Sequence, residues 1–171
     1  MNDAQIRDAT LDDLPRIVEI YNSAIPGRMA TADTEPVTVE QRTPWFHAHN
    51  PQTRPLWVLT VRGDIAAWAS LSNFYGRPAY SKTAEPSVYV APKYQGCGYG
   101  SYLLQELISR CPAFGIETLL GFVFAHNTPS LKMQQRFGFQ QWGYLPGVAE
   151  LDRKKADLMI VGLMIKTTNI A

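Results

Sequence analysis

The sequence predicts a single α/β domain, spanning residues 1–171, in which a mixed sheet is covered by helices. Two apolar segments, 54–63 and 64–74, meet at a glycine-aspartate step, which favours an antiparallel hairpin. After them, apolar strand-like runs alternate with patterns of helical period, which is typical of an α/β sheet. A length of 171 residues is enough for one domain with a substantial core.

The N-terminal third is predicted to contain a strand at 4–9 and then two helices. Thr10 and Asp13 suit the start of the first helix, whose apolar face has the spacing i, i+3, i+4 and i+7. That face comprises Leu14, Ile17, Val18 and Tyr21. Residues 25–36 lack periodicity and are interpreted as a loop. Thr38 opens a second helix, which Pro44 is expected to interrupt.

The C-terminal half is predicted to alternate strands with helices after a turn-rich connection at 75–85. Pro129 suits the start of the last helix and Gly138 its end. The predicted strands are 87–90, 116–124, 139–146 and 156–165, and the predicted helices are 98–111 and 128–137.

Composition excludes several classes of function. The chain is 46% apolar and 18% charged with a formal net charge of +1, so nothing points to nucleic acid or a membrane surface. No apolar run approaches the roughly 18 residues of a membrane span, and the acidic N-terminus is unlike a signal peptide. Cys97 and Cys111 have no metal-binding or redox spacing, so no metal is expected. Reduced thiols in the cytoplasm fit better than the alternative, a disulfide between them.

The segment YQGCGYG, residues 94–100, places three glycines between a predicted strand and a predicted helix. A helix start exposes unpaired N–H groups, and glycines let phosphate oxygens approach them closely. The segment is not a P-loop, because no Lys-Ser or Lys-Thr pair follows. It therefore predicts a pyrophosphate site with donors from Gly96 to Ser101, and a simple tight turn remains the alternative.

These motifs resemble those of a known enzyme superfamily. Gln95, Gly98 and Gly100 form a Gln-x-x-Gly-x-Gly pattern similar to the acetyl-CoA motif of the GNAT N-acetyltransferases. Residues 126–139 resemble the Asn-led helix that ends in Gly-Phe downstream in that superfamily. Five further segments resemble the phosphinothricin N-acetyltransferase branch, which acts on small amines and amino acids: IRDATLDDLPRIVEIYN, ADTEP, WASLS, RPAY and SVYV.

The resemblance implies a mostly antiparallel sheet that splays between its fourth and fifth strands, with the pantetheine arm of acetyl-CoA in the gap. A bulge beginning at Pro86 is expected to help open that gap. The implied cofactor-binding residues are Val88, Tyr89 and Val90 through their backbones, Gln95, Gly96, Cys97, Gly98, Tyr99, Gly100 and Ser101 at the pyrophosphate, and Asn127 through its side chain.

Acetyl transfer to an amine requires a group that accepts a proton and a donor for the thioester oxygen. Glu85 matches a glutamate of the phosphinothricin branch and is the candidate base. A backbone N–H near Tyr89 or Val90 is the candidate donor to the oxygen. Gln134 stands where many members of the superfamily have a tyrosine that can protonate the thiolate. The thiolate therefore leaves without an acid, or another group such as Tyr89 or Tyr99 serves.

The acceptor wall is expected in the connection before the fourth strand. Arg77 could pair with a substrate carboxylate. Phe74, Tyr75 and Tyr80 could shape the pocket, and a surface loop with exposed aromatic side chains is the alternative. In the family, the loop after the first helix also overhangs the acceptor.

The sequence thus predicts an acetyl-CoA-dependent N-acetyltransferase in which the amine of a small molecule attacks the thioester directly. Two alternatives stay open: acetylation of protein N-termini or lysines, and a non-catalytic acyl-CoA-binding module. A cytoplasmic homodimer is expected, the dimer from the resemblance only.

Overall fold

The computed structural model describes residues 3–166, which form one seven-stranded sheet with helices on both faces. The strands are β1 (Ala4–Asp8), β2 (Leu56–Val61), β3 (Asp64–Asn73), β4 (Thr83–Val90), β5 (Thr118–Phe124), β6 (Gln140–Leu151) and β7 (Lys154–Met164). The longer helices are α1 (Leu14–Ala24), α2 (Val39–His47), α3 (Tyr99–Arg110) and α4 (Thr128–Arg136). The sheet order is β1-β2-β3-β4-β5-β7-β6, and β4 with β5 is its parallel pair. The predicted fold class is confirmed.

The two faces of the sheet have separate cores, and the predicted helix faces build both. On one face, the predicted side of α1 packs with α2 against Val58 and Trp68. The Trp68 indole N–H also donates to the carbonyl oxygen of Ile17 at 3.1 Å. On the other face, α3 buries Leu103, Leu104, Leu107 and the neighbouring Cys111.

The predicted helix starts are supported by local hydrogen bonds. The Thr10 backbone N–H donates to the Asp13 carboxylate at 2.7 Å. Thr38 caps α2, since its hydroxyl accepts from the Gln41 backbone N–H at 3.2 Å. The expected interruption at Pro44 is wrong, because α2 runs through it to His47. Pro44 lies on the exposed side of this helix, so the carbonyl that loses its partner can be hydrated.

The gap between β4 and β5 is the feature that positions the site. The two strands pair only through Thr83 with Thr118 and Ala84 with Leu119, and then they separate. The expected splay is therefore present, and both strands continue as β-structure along its sides.

Pro86 lies just beyond the last pair, but the expected bulge there is wrong, since the β3–β4 register continues past it without a shift. Leu71, its partner on β3, donates its backbone N–H to Pro55 and so faces β2. Pro86 consequently faces the gap. Because proline has no N–H, β4 leaves no unpaired donor at the point where β5 departs.

Three strand boundaries differ from the sequence prediction. β4 begins at Thr83, so Glu85 lies inside the strand and not before it. The β2–β3 turn is centred on Arg62 and Gly63, both with positive φ, one residue earlier than expected. β6 and β7 extend beyond their predicted ends and meet at Asp152–Arg153, also with positive φ.

Candidate active site

A cavity of about 490 Å³ fills the gap between β4 and β5. Both strands, the loop after α1 and the inner sides of α3 and α4 contribute to its walls. Glu85 is the only lining residue with a carboxylate, and no lysine or arginine of the described residues lines the cavity. The lining residues are Met29, Ala30, Thr31, Ala32, Glu85, Pro86, Ser87, Val88, Tyr89, Leu104, Gly121, Phe122, Val123, Phe124, Asn127, Ser130, Met133, Gln134 and Leu158.

Side chains of β4 alternate between the two faces of the sheet. Tyr89 stacks on Trp68 with ring centroids 4.6 Å apart, on the face that carries α1 and α2. Val88 points to the opposite face and packs with the core beneath α3. Because alternate residues share a face, Glu85 lies on the same side as Tyr89.

The backbone of β4 also alternates, which determines the groups that face the gap. The Ala91 N–H donates to the Ala66 carbonyl at 2.9 Å, so Ala91 faces β3. Tyr89, two residues earlier, faces β3 in the same way, whereas Val88 and Val90 turn their N–H and C=O groups towards the gap. The N–H and C=O of Val88 and the N–H of Val90 therefore offer a free edge to an extended ligand, while the Val90 carbonyl oxygen accepts from Gln95 Nε2 at 3.3 Å.

Glu85 has the electrostatic environment of a potential base. Among the described residues its carboxylate has no ion-pair or hydrogen-bond partner, and it is half-buried in the cavity wall. Burial raises the pKa of Glu85 above its ordinary value, because desolvation penalises the charged form. A raised carboxyl pKa moves the group towards the range in which it can take a proton from an ammonium ion.

Tyr89 and Tyr99, the two tyrosines considered as acids, are not free for that role. The Tyr89 hydroxyl donates to the Ala30 carbonyl oxygen at 2.8 Å, and burial raises the pKa of Tyr89. Its proton is therefore held and already engaged. Tyr99 lies outside the cavity lining, and its ring contacts that of Tyr94.

The loop after α1 is fastened over the cavity by side chains of the β5–α4 connection. His126 Nε2 is hydrogen bonded to the Arg28 carbonyl at 2.7 Å, and the Asn127 amide donates to the Met29 carbonyl at 3.0 Å. The Asn127 side-chain oxygen also accepts the Ser130 backbone N–H at 3.2 Å and so caps α4. Asn127 thus lies in the cavity wall. Both its side-chain nitrogen and its side-chain oxygen already form hydrogen bonds within the protein, to Met29 and from Ser130.

Arg28 extends this attachment to the β6–β7 hairpin. Its guanidinium contacts both carboxylate oxygens of Asp152 at 3.0 Å and donates to the Thr34 carbonyl at 2.7 Å. The overhanging loop is therefore tied to the β5–α4 connection and to the β6–β7 hairpin, and the Tyr89 hydroxyl on β4 adds a third attachment through the Ala30 carbonyl.

The glycine-rich segment leads into α3 with the geometry of an anion site. Gly96 and Gly98 have φ of 76° and 83°, and Gly98 is the N-cap residue. No side chain caps the helix and its first turn has no acidic residue, so its first N–H groups are free of protein partners. At Gly100 a Cβ would lie 3.4 Å from the Val90 side chain, so this glycine allows α3 to approach β4.

The predicted acceptor residues lie beside the cavity, and none of them lines it. Phe74 contacts Tyr75 and Tyr80, and it stacks near Phe122, which does line the cavity, at 6.4 Å between centroids. Arg77 is exposed. Of the four predicted residues, the structure thus brings three into contact: Phe74, Tyr75 and Tyr80 form an aromatic rim beside the cavity.

Sequence reasoning missed the β5 side of the cavity and Ser130, and it considered Gln134 only as the position of an absent tyrosine. Phe122, Phe124 and Leu158 form much of its apolar wall, and Ser130 and Gln134 supply polar groups from α4. The alternation of Phe122 and Phe124 along β5 indicated that one side of this strand is apolar. It did not indicate a cavity, because a strand within a continuous sheet would bury the same residues.

A sheet opened between two parallel strands, with a glycine-rich helix start beside the opening and a carboxylate within it, is the architecture of an acyl-CoA-dependent acyltransferase. The model of the Acetyltransferase (GNAT) family matches residues 14–139, and the chain belongs to this family. The predicted family and the enzyme class, N-acetyltransferase, are confirmed.

Relatives match the chain over nearly its whole length. YwnH of Bacillus subtilis, named provisionally as a phosphinothricin acetyltransferase, is 52% identical over 92% of this chain and 96% of its own. An L-methionine sulfoximine/L-methionine sulfone acetyltransferase of Pseudomonas paraeruginosa is 33% identical over 98% of both. A phosphinothricin acetyltransferase structure from Sinorhizobium meliloti in complex with acetyl-CoA superposes with a TM-score of 0.90 at 26% identity, covering 99% of this chain and 92% of that one.

Within residues 3–166, no helix combines the length and apolarity that crossing a membrane requires. In the same range, no cluster of three or more His, Cys, Asp or Glu side chains is arranged to hold a metal ion.

Proposed function

We propose that this chain transfers the acetyl group of acetyl-CoA to the primary amine of a small molecule, such as an amino acid or its analogue. The amine attacks the thioester directly while both substrates are bound, and Glu85 accepts its proton. The observation that carries the proposal is a half-buried, unpartnered carboxylate with a raised pKa, the one carboxylate among the described residues that line the cavity of this GNAT fold.

The cofactor arm is assigned to the free edge of β4. The N–H and C=O of Val88 and the N–H of Val90 face the gap and can pair with pantetheine amides as a neighbouring strand would, whereas the Val90 carbonyl accepts from Gln95. The Tyr89 backbone is hydrogen bonded to β3. Tyr89 is therefore no longer proposed as a backbone ligand of the cofactor, and only Val88 and Val90 remain. The pyrophosphate is assigned to the amides of Gly96–Ser101, with Gln95 adjoining, and Asn127 is assigned to the cofactor arm.

In the reaction, the C–N bond forms, the C–S bond breaks and the bonding electron pair passes to sulfur. The proton lost by the amine goes to Glu85 and is matched by the proton that the product thiol gains. An N–H of Val88 or Val90, which faces the gap, can stabilise the oxygen of the tetrahedral intermediate. The Glu85 side chain points to the face of the sheet opposite to that of Val88. The amine must lie within reach of Glu85, so the acceptor is assigned to the Glu85 face, which is the side of the overhanging loop.

The acceptor is assigned to the apolar side of the cavity, with the aromatic rim at its mouth. Relatives are named for phosphinothricin, for methionine sulfoximine or sulfone and for L-amino acids, which are all amino acids or close analogues. Arg77, exposed beside the rim, can pair with a carboxylate that projects from the cavity. Closure of the cavity by the fastened loop favours a small molecule over a protein tail.

A screen of acceptors tests the proposal by measuring release of coenzyme A from acetyl-CoA. Amino acids, sulfoximines, polyamines and peptides are compared, each with the wild type and with Glu85→Gln. Turnover of amino acids or sulfoximines that the variant loses supports the proposal. Preference for peptides would favour protein acetylation, and cofactor binding without turnover of any amine would favour the binding module.

The homodimer and the cytoplasmic location remain parts of this proposal. β6 is an edge strand of the sheet and exposes several apolar side chains that a second copy could cover: Trp142, Tyr144, Leu145 and Val148. Light scattering on the purified protein measures the oligomer directly, and a monomer at micromolar concentration would contradict the dimer.

A further inference from the structure

The glycine-rich segment is anchored from outside by the tyrosine that precedes it. The Tyr94 hydroxyl donates to Asp64 Oδ2 at 2.9 Å. Asp64 is the first residue of β3 and directly follows the β2–β3 turn. Neither residue lines the cavity, and neither belongs to Gly96–Ser101, to which the pyrophosphate is assigned. The hydrogen bond therefore ties the segment to the sheet without occupying the ligand site.

The Asp64 carboxylate is itself held between two cations. Arg16 on α1 and Lys93 each approach it at 3.8 Å. Arg16 Nε also donates to the Ile65 carbonyl oxygen at 3.3 Å. The Tyr94 hydroxyl thus donates to a charged group that is fixed to α1 and β3, and such a hydrogen bond is stronger than one between neutral groups.

Tyr94 contacts the structure on both sides of the glycines. Its backbone N–H donates to the Ala91 carbonyl oxygen at 2.8 Å and closes the turn after β4. Its ring packs against the cores on both faces of the sheet. The centroid of this ring lies 6.1 Å from that of Tyr99, the first residue of α3. Tyr94 therefore joins the end of β4 to the start of α3.

The segment between these two ends has little packing of its own. Residues 95–98 are exposed. Gly96 and Gly98 have positive φ, and beyond their chain neighbours no heavy atom lies within 4 Å of the place that a Cβ on either would occupy. Glycine has the largest conformational freedom of any residue, so the anchors at the ends decide where this backbone lies.

Resting on the proposed function, we propose that Tyr94 and Asp64 are positioning residues for the pyrophosphate of coenzyme A. Their hydrogen bond holds the amides of Gly96–Ser101 in the arrangement that receives the phosphates. Without the bond, the segment has to lose conformational freedom when the ligand binds, and this loss lowers the affinity. The loss is confined to ligands that contact the segment, so the pantetheine arm by itself is unaffected.

The test compares coenzyme A with pantetheine, which keeps the arm and the thiol but lacks the pyrophosphate and the nucleotide. Calorimetry gives the dissociation constant of coenzyme A, and displacement of coenzyme A by pantetheine gives that of the truncated ligand. Tyr94→Phe keeps the ring and removes the hydroxyl. It should raise the dissociation constant of coenzyme A about tenfold, as for one lost hydrogen bond to a charged group, and leave that of pantetheine within about twofold.

Variants of Asp64 separate the hydrogen bond from the packing of the ring. Asp64→Ala should weaken coenzyme A binding as Tyr94→Phe does, and the double variant should bind no more weakly than either single one, because both remove the same bond. Asp64→Asn keeps an acceptor oxygen and should stay within about threefold of the wild type.

Tyr144→Phe is the matched control, because it removes another Tyr–Asp hydrogen bond, from Tyr144 to Asp157 between β6 and β7. Both dissociation constants should stay at their wild-type values. An unchanged constant for coenzyme A in Tyr94→Phe, or an equal loss for both ligands, would overturn this inference alone. A wild type that binds pantetheine as tightly as coenzyme A, or binds neither, would instead overturn the pyrophosphate assignment in the proposed function.

Discussion

The Asn127 side-chain amide donates to the Met29 carbonyl oxygen at 3.0 Å and thereby joins the start of α4 to the loop over the cavity. The oxygen of the same side chain caps α4 through the Ser130 N–H. The side-chain oxygen of Asn127 thus stabilises α4, and its side-chain N–H group positions the loop over the cavity. The two roles depend on different atoms, so they can be separated by mutation.

Asn127→Asp should keep the cap and lose the tether, because a carboxylate has acceptors and no N–H donor. We expect an acceptor KM about five- to tenfold higher, from the loss of roughly one hydrogen bond's free energy, with a melting temperature near that of the wild type. Asn127→Ala should raise KM similarly and also lose about 1 kcal/mol of stability with the cap. Steady-state kinetics and thermal melts check both, and a wild-type KM in the aspartate variant would refute the tether.

Glu85→Gln should lower kcat by about tenfold or more, within the range for a lost acid–base group. In the wild type, kcat/KM should rise with pH as Glu85 loses its proton, and this limb should lie above the ordinary carboxyl range because burial raises its pKa. The variant should lose the limb and keep its affinity for acetyl-CoA. pH–rate profiles with calorimetry test this, and superimposable profiles would remove Glu85 from the mechanism.

The same substitution should make the protein more stable at neutral pH. The folded-state pKa of Glu85 is raised, so the folded chain binds more protons than the unfolded chain between the two pKa values. The wild type therefore loses stability as pH rises through that window, and Glu85→Gln does not. Denaturant unfolding at pH 4 and pH 7 measures the difference, and equal stability changes at the two values would contradict burial of the charge.

Gly98→Ala should weaken acetyl-CoA binding, since an L-residue at φ 83° is strained by about 1–2 kcal/mol and the turn must change to relieve it. Gly115→Ala is the control, because Gly115 has φ 70° at a surface turn away from the cavity. Both variants should lose similar stability, and only Gly98→Ala should lose affinity, by about tenfold or more for a loop that supplies several phosphate contacts. Equal affinities would argue against the pyrophosphate assignment.

Asp13 should govern acid stability outside the site. Its side chain accepts from Arg7 at 2.6 and 2.8 Å, and this contact with the guanidinium lowers the pKa of Asp13 to about 2. A carboxyl group whose pKa is lower in the folded state than in the unfolded state stabilises the fold at any pH above its unfolded-state pKa. This stabilisation is lost as pH falls through the folded-state pKa. Asp13→Asn should cost about 1–2 kcal/mol at pH 7, allowing for the half-exposed Arg7. The cost should shrink as pH falls from about 4 and should vanish only below pH 2, which urea titrations can measure.

Local signals made much of the fold predictable. The hydrogen bond from Thr10 N–H to Asp13, the cap at Thr38 and the helical apolar faces are formed by neighbours in sequence, and the structure contains all three, although α1 itself begins at Leu14. Pro86 was misjudged because a proline in a strand indicates a bulge unless the direction of its backbone is known. That direction depends on the register with β3, which single-sequence patterns do not contain.

The candidate site was predictable where its residues are contiguous, as at 94–100, and along β4. The other half of the site depends on β4 and β5, which separate after Ala84 and Leu119. Phe122 and Gln134 have ordinary patterns for a buried strand and a helix, and only that separation gives them a cavity to face. The extension of β6 past Pro146 was missed for a similar reason, since irregular pairing between Leu145 and Ala149 accommodates the proline.

The opening between β4 and β5 passes through the sheet, so a nucleotide and an amine can enter from opposite sides. Any inhibitor that links both substrates covalently must then pass through this slot between the strands. Its connecting portion has to pass between β4 and β5 beyond Ala84 and Leu119, where the two strands have already separated. Assembling such a compound inside the slot, from halves delivered separately, is therefore the practical route to blocking this enzyme.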